Sequence, residues 1–192
     1  MDLKACLSQH GPFSEAALAE VAAVFKTRNL AKGAYLVQAH QPARELAFIE
    51  TGFLRLFAIN PEGKEVTVWI GGPGQFITSL SRFIFQEPNP WNIQAVTPSQ
   101  LQVLSREAHL RLLEHSSTWL ALDNHLLARA YTVLEQQMYA HLYADAEARY
   151  QKLMDTAPEL FNHVPLLHIA SMLGMAPETL SRLRSKTRET GS

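Results

Sequence analysis

The stretch 164–186, VPLLHIASMLGMAPETLSRLRSK, constrains the fold more than any other part of the chain. Two short segments with apolar residues at helical spacing flank a glycine, the first with Leu166, Ile169, Ala170 and Leu173 and the second with Leu180 and Leu183. Gly174 lies between them, where a tight turn needs a residue that tolerates positive φ. Pro165 and Pro177 each stand near a predicted helix start. This pattern predicts two short helices joined by a turn, with Ala170 small enough to allow their close approach.

The second of these helices is predicted to carry a polar outer side, formed by Glu178, Thr179, Ser181, Arg182, Ser185 and Lys186. A helix-turn-helix with such a side is typical of proteins that place their second helix in a DNA major groove. The formal net charge is −1, so a nucleic-acid surface must be local. It is supplied by a cationic run of Arg182, Arg184, Lys186 and Arg188 without an intervening acid. The alternative for the helix pair is a hairpin whose role is only to pack in the core. The alternative for the cations is a solvated helix C-terminus, where positive charge is favoured.

Length and composition exclude several classes of protein. The chain has 192 residues, of which 47% are hydrophobic and 18% charged, so a globular protein with one or two domains is expected. Its single cysteine, Cys6, excludes a disulfide within the chain and a four-cysteine iron–sulfur site. The N-terminal stretch lacks the layout of a signal peptide, and no apolar run approaches the roughly 18 residues of a membrane span. We therefore expect a cytoplasmic protein.

The first two thirds of the chain predict a helix followed by a β-rich region. Residues 14–28 are predicted to be helical, with Ser14 as the cap and an apolar side of Leu18, Val21, Ala22 and Phe25. From Leu30 to about Ser105 the pattern changes to short strands separated by turns, such as Asn60-Pro61-Glu62-Gly63. Many short strands at regular spacing indicate a small barrel or sandwich.

A long helix is predicted next, after a short one over 106–114. It is capped by Ser116 or Ser117 and extends to about His141. One apolar stripe, with an asparagine in it, contains Leu120, Asn124, Leu127, Tyr131, Leu134 and Met138. A second contains Trp119, Leu122, Leu126, Ala130 and Val133. Two apolar sides need two partners, which we expect to be the barrel and a second copy of the chain. The alternative is a helix buried within one subunit.

The order of barrel, long helix and helix-turn-helix resembles the Crp/Fnr family of bacterial transcription regulators. Three stretches carry the resemblance: Lys32-Gly33 through Thr51-Gly52-Phe53-Leu54-Arg55-Leu56, the segment Asn60 to Thr67 with Gly72-Pro73-Gly74-Gln75-Phe76, and Leu173 to Arg182. The last is similar to the family pattern L-G-h-[ST]-x-E-T-h-S-R. The resemblance implies an α+β fold with two domains. A double-stranded β-helix of the cupin-like jelly-roll, cyclic-nucleotide-binding type, together with the dimerisation helix, would occupy residues 1–140. A helix-turn-helix domain would occupy 141–192.

By the same resemblance the protein would be a homodimeric DNA-binding transcription regulator and not an enzyme. Glu178 and Arg182 match family positions that read base edges. The expected partners are double-stranded DNA with a palindromic operator, a second copy of the chain and a small-molecule effector, with RNA polymerase as a further candidate. No membrane partner is expected, and the sequence assigns no cofactor.

The resemblance breaks down where family members bind a cyclic nucleotide. Thr78 and Ser79 stand where such members have Gly and Glu, and the phosphate-binding Arg-Ser/Thr pair falls near Asn89-Pro90. A buried phosphodiester would therefore lack its cation, and we expect no binding of cyclic AMP in the usual way. The candidate residues of an altered effector pocket are Phe76, Ile77, Thr78, Ser79, Trp91 and Asn92. The alternative for Trp91 is packing beneath a proline-rich loop.

Two other functions compete with a regulator. A degenerate sensor would keep the fold without reading DNA. A metal-dependent barrel enzyme would need several histidines and a carboxylate inside the barrel, but the strand region contains only His40. We therefore assign no catalytic residue and no metal ligand. A haem sensor would need an axial ligand, for which Cys6 or a helical histidine is available, although no motif marks either.

Overall fold

The computed structural model describes residues 2–190, with side-chain surroundings described as far as Lys186. The helices are α1 (Leu3–Leu7), α2 (Glu15–Ala22), α3 (Leu80–Phe85), α4 (Arg106–His115), α5 (Ser117–Tyr143), α6 (Ala146–Thr156), α7 (Leu160–His163), α8 (Leu166–Met172) and α9 (Pro177–Thr190). The strands are β1 (Lys26–Leu30), β2 (Tyr35–Val37), β3 (Glu45–Thr51), β4 (Leu54–Ile59), β5 (Glu65–Gly71), β6 (Phe76–Ile77), β7 (Asn92–Ala95) and β8 (Ser99–Ser105).

The strands form two antiparallel four-stranded sheets, in the orders β1-β8-β3-β6 and β2-β7-β4-β5. Strands β4 and β5 are joined by the predicted turn, where Asn60 Oδ1 accepts hydrogen bonds from the amides of Glu62 and Lys64. Such a side chain replaces backbone acceptors in a tight turn. Strand β5 contains a bulge at Val68, which lies between the paired residues Thr67 and Trp69.

Three apolar clusters hold the elements together. The first contains residues from both sheets, among them Ile49, Leu54 and Leu101, so it fills the space between them. The second packs α1, α2, α4 and the start of α5 against the β1-β8-β3-β6 sheet around Trp119. The third contains residues of α6 to α9 together with Phe53, Ile70 and Val96 of the β region. The C-terminal helices therefore share a core with the sheet β2-β7-β4-β5 and the ends of its strands.

Serine and aspartate caps begin several helices, and Ser14 and Ser116 among them are caps that the sequence predicts. Ser14, Ser105 and Ser116 each accept a hydrogen bond from the backbone amide three residues later, at the starts of α2, α4 and α5. Asp145 does the same for α6. These contacts satisfy amides that have no partner within the helix.

An α+β fold, in which a β-sheet domain is combined with helices, is confirmed. The prediction of one helix over 14–28 is wrong in its second half, because α2 ends at Ala22 and Lys26–Leu30 pairs with β8. Phe25 lies after the end of α2, but its ring packs into the core around Trp119, so an apolar residue occurs at a position that fits helical spacing. Helix α3, strand β6 and helix α1 were not predicted individually from the sequence.

Replacement of Gly52 by alanine tests the close approach of the β3–β4 turn to β8. Gly52 has φ +88°, and a Cβ there would lie 2.5 Å from the Pro98 carbonyl oxygen and 2.7 Å from the Ser99 Cα. Gly33 has φ +84° with open space around its Cα, and so serves as the control. Gly33→Ala should lose about 1–2 kcal/mol of unfolding free energy through backbone strain. Gly52→Ala should lose about 1–3 kcal/mol more through overpacking, as measured by urea denaturation. Equal losses would contradict this close packing.

Candidate nucleic-acid interface and effector region

The turn between α8 and α9 is built around Gly174. It has φ +64°, and a Cβ at this position would lie 3.1 Å from the His141 ring at the end of α5. The Met175 amide donates to the Ala170 carbonyl across the turn, at 3.0 Å. Ala170 and Leu180 are fully buried between the two helices. Glycine satisfies both the backbone conformation and the close contact, which explains why this position separates the two apolar segments.

The outer side of α9 is open to solvent. Glu178, Ser181, Arg182 and Ser185 are brought together along a shallow groove of about 540 Å³, which Leu166 and Pro177 also line. All four predicted residues are exposed, whereas Thr179 is half-buried. Glu178 and Arg182 stand four residues apart and therefore share one side of the helix. This surface offers a carboxylate, two hydroxyls and a guanidinium to an incoming polar partner.

The cations near the end of α9 are placed differently from one another. Lys186 lies 2.8 Å from Glu147 of α6, in an ion pair whose two side chains are both exposed. Arg184 lies 6.0 Å from the centre of the Phe161 ring, so its guanidinium faces the helical core rather than Arg182. The side chain of Arg188 lies outside the described residues. Of the members of the predicted cationic run whose side chains the structure describes, Arg182 is therefore the one placed in the groove of α9.

Arg55 of β4 connects this helix pair to the β-sheet. The residue is only 5% exposed, and its side chain donates to Gln94 Oε1 through Nε (3.2 Å) and Nη2 (2.8 Å). Nη1 lies 2.6 Å from Glu65 and 3.0 Å from His168 Nδ1 of α8, while the guanidinium stacks on the Phe57 ring at 3.9 Å. A buried guanidinium is stable when its donors are satisfied in this way. We refer to these contacts as the Arg55 node.

Three further contacts attach the helices beside the Arg55 node. Ser171 Oγ of α8 accepts a hydrogen bond of 2.9 Å from the Thr67 amide of edge strand β5. Gln137 of α5 donates to the neighbouring Val68 carbonyl at 3.4 Å. Phe53 stacks on the His163 ring with centroids 5.2 Å apart. The helices thus cover an edge strand whose polar backbone groups would otherwise be open to pairing with another chain.

His168 is kept neutral by its surroundings. Burial lowers the pKa of His168, and the positive charge of Arg55 lowers it further, while Glu65 raises it. Since Arg55 donates to Nδ1, that nitrogen must carry no proton, and the neutral ring holds its proton on Nε2. Protonation of Nδ1 would remove the acceptor and place two positive charges together.

The six residues proposed for an effector pocket have structural partners of their own. Phe76 and Ile77 contribute to apolar clusters, and Thr78 Oγ1 donates to the Glu45 carbonyl at 2.9 Å. Ser79 Oγ accepts from Asn89 Nδ2 at 2.6 Å, and Asn92 Oδ1 accepts from the Ala39 amide. Trp91 is half-buried. The positions that would match the sugar-binding and phosphate-binding side chains of a cyclic-nucleotide site are therefore hydrogen-bonded directly to each other.

Arg82 is a residue that the sequence analysis did not single out. It lies on α3 and is 7% exposed, yet its Nε and Nη1 find no hydrogen-bond partner among the described residues. The nearby Arg106 is different, because its Nε and Nη2 donate to the Phe83 and Ile84 carbonyls. An arginine within the mainly apolar run LSRFIF was the available sequence signal.

The long helix α5 has one covered end and one exposed stripe. Trp119 and Leu122 of the second predicted stripe are fully buried against the β region, whereas Val133 is exposed. In the first predicted stripe Leu127 is half-buried, and the other members, Leu120, Asn124, Tyr131, Leu134 and Met138, are exposed. Tyr131, Leu134 and Met138 each expose more than half of their surface, at 64%, 57% and 61%. Large apolar side chains are thus presented to solvent along several helical turns.

Among the described residues, no group of three or more His, Cys, Asp or Glu side chains is arranged to hold a metal ion. In the same part of the chain, the helices are too short or too polar to cross a membrane.

Two comparisons with known proteins match the part of the chain that contains the β region. Residues 27–116 match the family profile described as the cyclic nucleotide-binding domain. The sensor domain of the transcriptional regulator DNR from Pseudomonas aeruginosa is 29% identical, with a TM-score of 0.52, over 69% of this chain and 85% of that chain. No curated protein sequence matches the chain significantly.

Longer solved structures share the whole fold at lower identity. The c-di-GMP-responsive global regulator CLP from Xanthomonas campestris is 16% identical, with a TM-score of 0.69, over 93% of both chains. FixK2 from Bradyrhizobium japonicum is 15% identical, with a TM-score of 0.71, over 88% of this chain and 86% of that chain. The match to the cyclic nucleotide-binding domain and the structural similarity to such regulators support the resemblance noted in the sequence at the level of the fold.

The neutral state of His168 predicts that acid weakens the contact at the Arg55 node. Because its pKa is lowered in the folded chain, the unfolded chain binds more protons as the pH falls below the ordinary value of about 6.5. His168→Gln, which keeps an acceptor for Arg55, should flatten the fall of unfolding free energy between pH 7.5 and 5.5. The limit for one proton is about 1.4 kcal/mol per pH unit. Urea denaturation at several pH values measures this slope.

His115→Gln is the matched control, since His115 is exposed on α4. This replacement should leave the slope of unfolding free energy against pH unchanged. Burial also lowers the pKa of His109, so His109 contributes part of the slope in every variant. An identical slope in wild type and His168→Gln would contradict a neutral His168 at this contact.

Proposed function

We propose that this chain is a homodimeric DNA-binding transcription regulator of the Crp/Fnr type, which acts in the cytoplasm and carries a helix-turn-helix of α8 and α9. The observation that carries the proposal is the exposed polar side of α9, which is held in place by the buried contacts between α8 and α9 and by a tight glycine turn. Glu178 and Arg182 reach the same groove, and Ser181 and Ser185 flank them. Arginine is suited to two acceptors on guanine, and glutamate can accept from a cytosine amine.

The proposal gives different roles to the charged residues of α9. Arg182 reads a base, whereas Lys186 leaves its exposed pair with Glu147 and meets a phosphate. An exposed ion pair is worth little in water, so its loss costs little on binding. Thr179 and Ser185 lie beside the reading residues and contribute positioning contacts.

The dimer is proposed to form through the exposed stripe of α5. An exposed row of large apolar side chains on a long helix is stabilised when the same row of a second copy covers it. Two copies related by a two-fold axis would present two α9 helices, and would prefer a palindromic operator with half-sites one helical turn apart. RNA polymerase remains a candidate partner of the bound dimer.

The β region is proposed to sense a small molecule that it does not bind as a cyclic-nucleotide binder would. The direct Ser79–Asn89 hydrogen bond occupies the polar groups that the sugar and phosphate would need. A change in the sheet would reach α8 through the Arg55 node, because Gln94, Arg55 and His168 form a continuous chain of hydrogen bonds. We therefore propose coupling between effector state and helix position within one subunit.

Selection of bound sequences from a random DNA pool tests the proposed function. The purified chain should enrich an inverted repeat with centres about 10 base pairs apart. Failure to enrich any sequence, with DNA affinity that does not depend on sequence, would favour the degenerate sensor. Measurable turnover after metal loading would instead favour the barrel enzyme.

Leu127→Glu combined with Leu134→Glu tests the dimer. The two carboxylates would lie within the apolar stripe, so the chain should sediment as a monomer at micromolar concentration or lose its fold. Gln136→Glu is the matched control, because Gln136 is exposed on α5 outside this stripe. It should leave a dimer in sedimentation velocity. A wild-type chain that sediments as a monomer would contradict the proposal directly.

Arg182→Ala tests the reading of DNA on the selected operator. It should lose about 1–3 kcal/mol of binding free energy and relax preference at one base pair of each half-site. Lys186→Ala should weaken binding to all sequences and reduce the salt dependence by about one unit per contact. Lys26→Ala, on β1 of the other sheet, is the control and should bind as wild type does. If Arg182→Ala kept both affinity and preference in fluorescence anisotropy, α9 would not be the reading helix.

A further inference from the structure

The bend between α5 and α6 is made by two residues, Ala144 and Asp145. Ala144 has an extended backbone, with φ −89° and ψ 143°, and its amide donates to the Ala140 carbonyl at the end of α5. Asp145 begins α6 by accepting a hydrogen bond of 2.8 Å from the Ala148 amide. One helix therefore ends where the next begins, and the direction of α6 depends on the contacts that hold this bend.

The side chain of Arg149 holds the bend and ties it to the helix pair α8–α9. Arg149 lies on α6 and is half-buried. Its Nη1 donates to the Ala144 carbonyl at 2.5 Å, and its Nε donates to the Leu173 carbonyl at 2.8 Å. Ala144 and Leu173 are the residues that end α5 and α8. Carbonyls at helix C-termini lack partners within the helix and carry partial negative charge, so a cation that reaches two of them stabilises both.

One planar guanidinium fixes the two helix ends relative to each other, because its donors point in set directions. The His141 ring of α5 lies against the same turn, 3.1 Å from the position of a Cβ at Gly174. The Arg55 node attaches α8 to the sheet through His168, whereas Arg149 attaches the end of α8 to α5. A helix held at one point can rotate about that point, but a second attachment fixes its direction.

We propose that Arg149 is a positioning residue that sets the angle between α5 and the helix pair α8–α9, and thereby the half-site spacing that the dimer accepts. Arg149 acts through α9, since Arg182 reads one half-site and Arg149 decides how far apart two such readers lie. A change of angle occurs once in each copy, so the two-fold axis doubles its effect. The inference rests on the proposed function, although the contact itself is measured without DNA.

The distance between two spin labels within one chain tests the contact. The labels are placed at Gln136→Cys on α5 and Ser185→Cys on α9, both exposed positions, in a Cys6→Ser background diluted with unlabelled protein. With arginine at position 149, pulsed electron paramagnetic resonance should give one narrow distance distribution. Arg149→Met should widen the distribution, because α8 is then attached to the sheet alone. Equal widths would overturn the inference.

Two variants assign the effect to the planar guanidinium. Lys152→Met removes an exposed cation from the same helix and should keep the narrow distribution of distances. Arg149→Lys keeps the charge but lacks the planar fork, so it should widen the distribution, and it keeps the inference testable if Arg149→Met fails to fold. A narrow distribution in Arg149→Lys would overturn the role of the two-carbonyl contact.

Operators with altered spacing test the effect on DNA reading. The selected operator is compared in fluorescence anisotropy with versions whose centre is one base pair longer or shorter. Wild type should bind the selected spacing about tenfold more tightly, since one base pair turns a half-site by about a tenth of a helical turn. Arg149→Met should reduce this preference to about threefold or less, because the angle between the reading helices is no longer fixed.

An isolated half-site separates positioning from the stability of α9. Arg149→Met should bind it within about twofold of wild type and keep the base preference, whereas Arg182→Ala should lose the base preference and keep the spacing preference. An equal fall on the half-site and the operator, with unchanged spacing preference, would overturn the inference. A wild-type chain that selects no operator contradicts the proposed function, whereas operator selection with an unchanged distance distribution in Arg149→Met contradicts this inference alone.

Discussion

The guanidinium of Arg55 is the interaction on which the arrangement of the two parts depends. A buried positive charge is costly unless acceptors surround it, and Arg55 has Gln94 and Glu65 from the sheet and His168 from α8. Removal of any one acceptor leaves a buried donor unsatisfied, so the sheet and the helix must stay together for the node to be stable. Polar contacts of this kind fix geometry more strictly than apolar packing does, because their distances and directions are specific.

The apolar cluster around the node explains why α8 does not lie free in solvent. Phe53, Ile70 and Val96 of the β region share a core with Ile169 and Leu173, and the Thr67 amide of the edge strand is satisfied by Ser171. The same helix therefore covers a sheet edge on one side and supports α9 on the other. Any rearrangement of β4 or β5 must either move α8 or break these contacts, which is the physical basis of the proposed coupling.

Sequence pattern predicted the elements that have a strong local signal. The helix pair around Gly174, the turn at Asn60–Gly63 and the long helix after Ser116 depend on caps, turn residues and apolar spacing, which are local. Strand β1 was missed because its pairing with β8 decides its state, and Phe25 continued the helical spacing. The Arg55 node could not be derived from spacing, since its partners Gln94 and His168 are 39 and 113 residues away. The orphaned Arg82 could not be derived either, because it has no side-chain partner at Nε or Nη1 among the described residues. The division near residue 140 and the dimer stay predictions.

Hydrogen exchange followed by mass spectrometry, on wild type and Arg55→Met at pH 7.5, tests the central claim most directly. Amide exchange reports local opening, segment by segment, in the native protein. If the Arg55 node holds the helix pair to the sheet, exchange in α8 and β5 should quicken in the variant while β1 and β8 keep their protection. Unchanged exchange in α8 and β5, or an equal increase along the whole chain, would contradict the claim that this one buried arginine joins the two parts.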